Sequence, residues 1–147
     1  MNYDRIFSLV EEYASDIVEI RRDLHKYPEI GWGEYRTTSK IIDFLKANNI
    51  PFLCGRDVVN TDYLWSYPTK EVLEAHKERA LAQGASQENI DLMGDYTGCV
   101  AEIDSGKPGK VVGLRFDIDC IELNETTADS HLPNVENFAS VNSGWMH

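Results

Sequence analysis

The chain has 147 residues, a length that suits one domain or a piece of one. Its 42% hydrophobic and 27% charged residues lie near the globular average, which argues against intrinsic disorder. A net charge of −11 repels phosphate backbones and anionic head groups, so we expect neither nucleic-acid nor membrane partners. Because there is no apolar run of roughly 20 residues and no signal peptide, we expect a cytoplasmic protein.

The first predicted element is a helix from about Asp4 to His25. Its apolar residues recur at steps of three and four and so form one stripe: Ile6, Leu9, Val10, Tyr13, Ile17, Ile20 and Leu24. Pro28 ends this helix. A second stripe predicts helix two, which closes at Asn48, Asn49 and Pro51: Tyr35, Thr38, Ile41, Ile42 and Leu45.

The middle of the chain, residues 54–95, is predicted to be an insertion with helices of its own. Thr69 can cap a helix over Lys70–Gln83, with Gly84 beyond its end. Ser86 can cap a shorter helix that finishes at Gly94. We interpret His76 as a structural residue, because it lies at or beside an apolar face formed by Val72, Leu73 and Ala80.

Two β-rich runs follow, Cys99–Ile103 and Val111–Phe116, and the Gly and Pro residues between them are turn formers. They predict a hairpin or neighbouring strands. Beyond Asp119 the pattern becomes a polar loop, where His131 has no visible partner, and the same holds for the last residue, His147. The Trp and Met residues just before His147 are awkward beside a terminus, so we expect a truncated chain.

Three cysteines occur at irregular spacing and without a C-x-x-C pair: Cys54, Cys99 and Cys120. This pattern predicts neither a disulfide framework nor a zinc knuckle, and we expect ordinary small core residues.

Two carboxylates are the strongest candidates for chemistry. Asp117 and Asp119 follow a β-rich run, and the strand period of two places both on one face at its carboxyl end. Paired carboxylates there can bind a divalent cation or share acid/base work. The alternative is structural, because an Asp at a strand end often satisfies a turn amide.

Three segments then carry a family resemblance. The run RRDLHKYPEIGWGE, from Arg21 to Glu34, resembles the opening signature of the amidohydrolase branch of metallopeptidases, which includes hippurate hydrolase and the indole-acetyl-amino-acid hydrolases. LRFDID, from Leu114 to Asp119, is similar to that family's strand ending in Asp-x-Asp. SGWMH, from Ser143 to His147, looks like the lead-in to its Met-His-Ala-Cys-Gly-His-Asp motif. Residues 55–60, the helical stretch after them and residues 106–109 resemble the aminobenzoyl-glutamate hydrolase branch.

The resemblance implies an α/β fold, specifically the N-terminal part of a mixed-sheet metallopeptidase-like catalytic domain with a helical insertion at 54–95. It implies hydrolysis of an N-acyl amino-acid amide bond, such as that of p-aminobenzoyl-glutamate, at a site with two manganese or zinc ions. Asp119 matches the position where related metallopeptidases keep an Asp that orients a metal-bound histidine. The other ligands are expected after His147, so the chain alone is expected to bind no metal tightly and to be inactive.

Two alternatives remain. One is a truncated, non-catalytic module that pairs with a full-length subunit, and the other is an acidic α/β domain with coincidental motifs. The implied partners are a small acyl-amino-acid substrate and either a second copy or a related B subunit. Because few strands are available to receive the apolar faces, we also expect marginal folding, a large exposed apolar surface and self-association.

Overall fold

The computed structural model describes residues 3–147, and its elements fall into two compact units. One unit is residues 29–120 and the other combines residues 3–28 with residues 121–147. The described residues mix α-helices with a small antiparallel sheet, in agreement with the predicted α/β class.

The unit of residues 29–120 contains three helices and a short sheet. The helices are α2 (Tyr35–Ala47), α3 (Lys70–Ala82) and α4 (Gln87–Met93). Two short 3-10 helices, Gly55–Val58 and Thr61–Tyr63, lie between α2 and α3. The α-helices confirm the predicted helix two and the two helices predicted within residues 54–95. The Ser86 hydroxyl accepts a hydrogen bond from the Asn89 amide at 3.2 Å, as its predicted capping role requires.

The sheet of this unit differs from the prediction. Strand β1 (Phe52–Cys54) pairs antiparallel with β2 (Cys99–Ala101), with Cys54 opposite Cys99. The predicted partner, Val111–Phe116, forms no strand and is exposed, with Val111 99% exposed. The β-rich composition of residues 111–116 was therefore not sufficient, because a strand forms only where a second strand accepts its hydrogen bonds.

The core of this unit lies where α2, α3 and α4 meet the sheet. It comprises Tyr35, Ile42, Cys54, Leu73, Ala80, Ile90 and Met93. His76 is buried on α3 beside Leu73 and Ala80, which confirms its predicted structural position, whereas Val72 is exposed. Among the described residues, Cys54, Cys99 and Cys120 form no disulfide, and burial raises the pKa of the Cys54 and Cys99 thiols. Cys54 and Cys120 are buried as predicted, and Cys99 is half-buried.

The second unit contains α1 (Tyr3–Lys26) and the short helix α5 (Leu132–Val135). The predicted helix one is thus confirmed to within one residue at each end. No residue that the structure describes in α1 is buried, and its stripe is about half exposed, with Ile17 at 56%. The expected exposed apolar surface is therefore present. Within residues 3–147, no helix combines the length and the apolar character needed to cross a bilayer.

Two hydrogen bonds join the C-terminal segment to the end of α1. The Val141 amide donates to the Lys26 carbonyl at 2.9 Å, and the Asn142 side-chain amide donates to the Pro28 carbonyl at 2.8 Å. An isolated bridge between Ile121 and Met146 closes the segment on itself.

Candidate functional site

The candidate site is built on the loop between α1 and α2, residues 29–34, and on the segment that ends at Cys120. The Cys120 amide donates a hydrogen bond to the Glu29 carbonyl at 2.8 Å, which anchors this segment beside the loop. Asp119 therefore lies next to the loop, and its Oδ2 is 4.0 Å from the position that a Cβ on Gly31 would occupy. The small residue at 31 leaves space beside the Asp119 carboxylate.

The Glu29 carboxylate fixes this loop through hydrogen bonds to α2 and α3. Its carboxylate accepts hydrogen bonds from the amides of Arg36 at 3.0 Å and Thr37 at 2.7 Å, so it caps the first turn of α2. Arg79 of α3 donates to the same carboxylate at 2.9 Å and to the Gly33 carbonyl at 2.7 Å. Because Glu29 is fully buried, these donors compensate its charge and lock the loop to two helices.

Glu34, the last residue of the same loop, is also buried, and its carboxyl group interacts electrostatically with Asp119. Thr97 donates its hydroxyl proton to Glu34 Oε2 at 2.5 Å. Burial raises the pKa of Glu34 above its usual value, and the negative charges of Asp119 and Glu29 add to the rise. Sequence analysis placed Glu34 only at the end of the Arg21–Glu34 run and missed its hydrogen bond with Thr97, because 63 positions separate the two residues.

The structure separates the two predicted aspartates. Asp117 is exposed and accepts a hydrogen bond from Arg115 Nη2 at 2.6 Å, an ion pair at the surface. Asp119 instead lies beside Gly31 and close enough to Glu34 to raise its pKa. The strand-end geometry predicted for the pair is wrong for the described residues, because residues 111–119 form no ladder. The functional roles of Asp117 and Asp119 stay predictions.

A second polar cluster lies in the other unit, and sequence reasoning also missed it. Glu125 Oε1 accepts hydrogen bonds from the Nε2 atoms of His25 and His131, both at 2.7 Å. Its Oε2 accepts from the Ser140 amide at 2.5 Å. The expectation that His131 lacks a partner is therefore wrong. Phe138 packs edge-on against His25, with ring centroids 5.6 Å apart.

The donor set does not form a metal site by itself. Among residues 3–147, no three His, Cys, Asp or Glu side chains are placed to share a metal ion. Asp117 is engaged by Arg115, and Glu34 accepts a hydrogen bond from Thr97. The two metal ions that the resemblance implies therefore do not fit these residues alone.

Comparison with known proteins shows which proteins the chain is similar to. No protein-family profile matches the chain. A Haemophilus influenzae homologue of the A subunit of p-aminobenzoyl-glutamate hydrolase is 42% identical over 134 residues, 90% of this chain and 31% of that protein. The similarity to this protein extends over nine-tenths of the chain.

Two further hydrolases show the same relationship. Indole-3-acetyl-aspartic acid hydrolase of Enterobacter agglomerans is 38% identical over 139 residues, 94% of this chain and 32% of that protein. The A subunit of p-aminobenzoyl-glutamate hydrolase from Escherichia coli has the same identity and coverage. The chain thus spans about a third of the length of the curated relatives that it matches.

A solved structure supports the fold as well as the sequence relationship. The crystal structure of aminobenzoyl-glutamate utilization protein from Klebsiella pneumoniae superposes with a TM-score of 0.67 at 35% identity. The match covers 71% of this chain and 27% of that protein.

Proposed function

We propose that the chain forms part of a metal-dependent hydrolase that cleaves the amide bond between an aromatic acyl group and an acidic amino acid. The observation that carries this proposal is the 42% identity, over 90% of the chain, to the Haemophilus influenzae homologue of p-aminobenzoyl-glutamate hydrolase. The names of the other two relatives also specify an aromatic acyl group joined to aspartate or glutamate. We propose p-aminobenzoyl-glutamate as the substrate.

Within this proposal, the described residues are the N-terminal part of a metallopeptidase-like catalytic domain and contribute one side of its site. We assign the positioning role to Asp119, because it lies beside the Glu29–Glu34 loop, and not to Asp117, which pairs with Arg115 at the surface. Manganese or zinc would supply the Lewis acid of the whole protein. Residues 3–147 do not complete a metal site, so further ligands would come from other residues of the whole protein.

The proposal includes assembly with a second protein chain, either another copy or a related B subunit. Two relatives are named as the A subunit of their hydrolase, or as a homologue of it. The half-exposed stripe of α1 provides an apolar surface that a neighbouring protomer or domain would cover.

The experiment compares matched variants in the protein made from the gene's complete reading frame. Asp119→Asn is expected to lower the rate of p-aminobenzoate release by about 10–100-fold, a typical cost of losing a residue that orients a metal ligand. Asp117→Asn removes the same charge two positions away and is expected to change the rate by less than about threefold, because exposed ion pairs contribute little. Equal losses in both variants contradict the assignment of Asp119.

A second candidate function is a non-catalytic module that pairs with a full-length subunit. It is favoured by one observation, the lack of three metal-capable side chains in one place among residues 3–147. Elemental analysis of the purified complete protein after dialysis separates the two. Stoichiometric manganese or zinc supports the hydrolase, and a metal-free, inactive protein supports the module.

A further inference from the structure

We propose that four aromatic residues of the insertion and its neighbouring loop bind the aromatic acyl group of the substrate, and that Arg56 binds a carboxylate of its amino-acid part. The four residues, called the aromatic cluster below, are Trp32, Trp65, Tyr67 and Tyr96. This inference rests on the proposed function, because it names the residues that would select an aromatic over an aliphatic acyl group.

Three rings of the aromatic cluster, those of Trp32, Tyr67 and Tyr96, contact one another, and Trp65 joins them through its backbone carbonyl. The Trp32 and Tyr67 rings meet edge to face, with centroids 5.3 Å apart. The Tyr67 and Tyr96 rings stack with centroids 5.5 Å apart. The Tyr67 hydroxyl donates to the Asp95 carbonyl at 2.7 Å, which fixes the central ring of the array. Such edge and stacked contacts are the ones by which an additional aromatic ring would extend the array.

Two residues of this arrangement have a strained backbone. Trp32 has a φ of +65° and Ser66 has a φ of +51°, and both values lie in the left-handed region that bulky residues rarely adopt. Glycine would avoid that cost, and Gly31 and Gly33 flank Trp32 on both sides. The indole Nε1–H of Trp32 donates to the Trp65 carbonyl at 2.9 Å and ties the two strained segments together. The strain serves to hold an indole at position 32, which is typical of functional sites.

The exposure of the aromatic cluster argues against a simple core role. Trp65 is 85% exposed, and Tyr67 and Tyr96 are each half-buried. The exposed Trp65 ring next to three half-buried rings provides aromatic surface whose burial by a ligand would contribute favourably.

Charge complementarity identifies the class of ligand. The Arg56 guanidinium lies over the Tyr96 ring, 5.7 Å from its centroid, and makes no hydrogen bond or ion pair with the residues that the structure describes. A guanidinium beside an aromatic surface matches a ligand that carries both an aryl group and a carboxylate. An N-aroyl glutamate or aspartate has both groups.

The position of the aromatic cluster relative to Asp119 agrees with this role. Trp32 directly follows Gly31, the residue whose missing side chain leaves space beside Asp119 Oδ2. The aromatic cluster and Asp119 therefore both border the loop of residues 29–34.

The test uses two ligands that differ only in the acyl group, N-benzoyl-L-glutamate and N-acetyl-L-glutamate, titrated calorimetrically in EDTA into the protein made from the complete reading frame. We expect the benzoyl compound to bind at least about tenfold more tightly, a difference typical of one aromatic contact. Trp65→Ala should remove most of this difference, because Trp65 is exposed and its loss does not disturb the core. Phe7→Ala, an exposed aromatic residue of α1, is the matched control and should leave it unchanged.

Arg56→Ala should weaken the two ligands by the same factor, since both carry the glutamate carboxylates. Equal binding of the two ligands, no binding of either, or an unchanged preference in Trp65→Ala overturns the inference. EDTA separates ligand binding from the proposed metal-dependent hydrolysis. If the protein prefers the benzoyl ligand but never cleaves the amide, the result contradicts the proposed hydrolase function and leaves the proposed binding site standing.

Discussion

The Arg79 guanidinium donates a hydrogen bond to the Glu29 carboxylate at 2.9 Å, although 50 positions separate the two residues in the chain. Glu29 is fully buried and Arg79 is largely buried, so neither charge is well solvated. This pair links the loop beside Asp119 to α3, and its integrity decides whether the candidate site keeps its shape.

Replacing Arg79 by alanine is therefore expected to lower the free energy of unfolding by about 3–5 kcal/mol, because Glu29 would remain buried without its countercharge. Urea denaturation followed by circular dichroism measures the change. Arg115→Ala, which removes the same side chain from the exposed pair with Asp117, should cost less than about 1 kcal/mol. A similar loss in both variants would mean that the buried pair contributes no more than a surface one.

Gly55 is expected to tolerate no side chain. Its φ is +63°, and a Cβ there would lie 2.6 Å from the Met93 carbonyl oxygen. Gly55→Ala should lower the free energy of unfolding by about 2–4 kcal/mol, because backbone strain and a backbone clash add. Gly84→Ala is the control, since Gly84 also has a positive φ of +99° but no atom within 4 Å, and it should cost about 1 kcal/mol. Equal losses of unfolding free energy in the two variants would show that the backbone at Met93 moves away from the new Cβ at no measurable energetic cost.

Glu125 makes the unit of α1 and the C-terminal segment sensitive to acid. Burial alone would raise the pKa of Glu125, but the Ser140 amide and the imidazoles of His25 and His131 outweigh it and hold the pKa below its ordinary value of 4.5. A carboxyl whose pKa is lowered in the folded state contributes stability that is complete above the unfolded pKa. That stability is lost as the pH falls through the folded pKa.

We therefore expect the melting temperature of this unit to fall below about pH 4.5, and Glu125→Gln to flatten that part of the profile. At pH 7 the same variant should lose about 1.5–3 kcal/mol, because it replaces hydrogen bonds to a charged group. Glu122→Gln, an exposed neighbour, should leave the profile unchanged. An acid transition that survives in Glu125→Gln with the same midpoint would assign it to another carboxyl group.

The stripe of α1 is expected to drive self-association of the 147-residue chain. Val10 and Ile17 are each 56% exposed, and contiguous apolar surface of this kind promotes contacts between copies. Val10→Glu with Ile17→Glu should shift the elution volume in size-exclusion chromatography towards the monomer. Ser8→Glu with Ser15→Glu adds the same charge off the stripe and should not. A monomeric unsubstituted chain contradicts the expectation directly.

The helices could be predicted because their signals are local. Apolar periodicity placed α1 and α2, and the hydroxyl of Ser86 marked the start of α4. The sheet could not be predicted in the same way. The strand Phe52–Cys54 has only three residues, which is too short to show an alternating apolar pattern. Tertiary contacts decide that Cys99–Ala101 pairs with this strand and not with Val111–Phe116.

The candidate site was only partly predictable for a related reason. Asp119 stands in a recognisable motif, but its neighbours Gly31 and Glu34 come from a loop far earlier in the chain. Glu29 caps α2 from seven and eight positions before the amides that it binds, whereas local capping motifs span about three. Spacing motifs describe only residues that are near in sequence and do not predict such partners. The sequence therefore identified Asp117 and Asp119 as candidates but did not show that their surroundings differ.

The measurement that tests the proposed function most directly is the release of p-aminobenzoate from p-aminobenzoyl-glutamate by the protein made from the complete reading frame. The assay compares added manganese or zinc with EDTA, and the 147-residue chain is assayed in parallel. We predict metal-dependent release by the complete protein and none by the 147 residues alone, because the described side chains do not complete a metal site. Release that persists in EDTA, or no cleavage of any N-aroyl glutamate or aspartate by the complete protein, contradicts the proposed function.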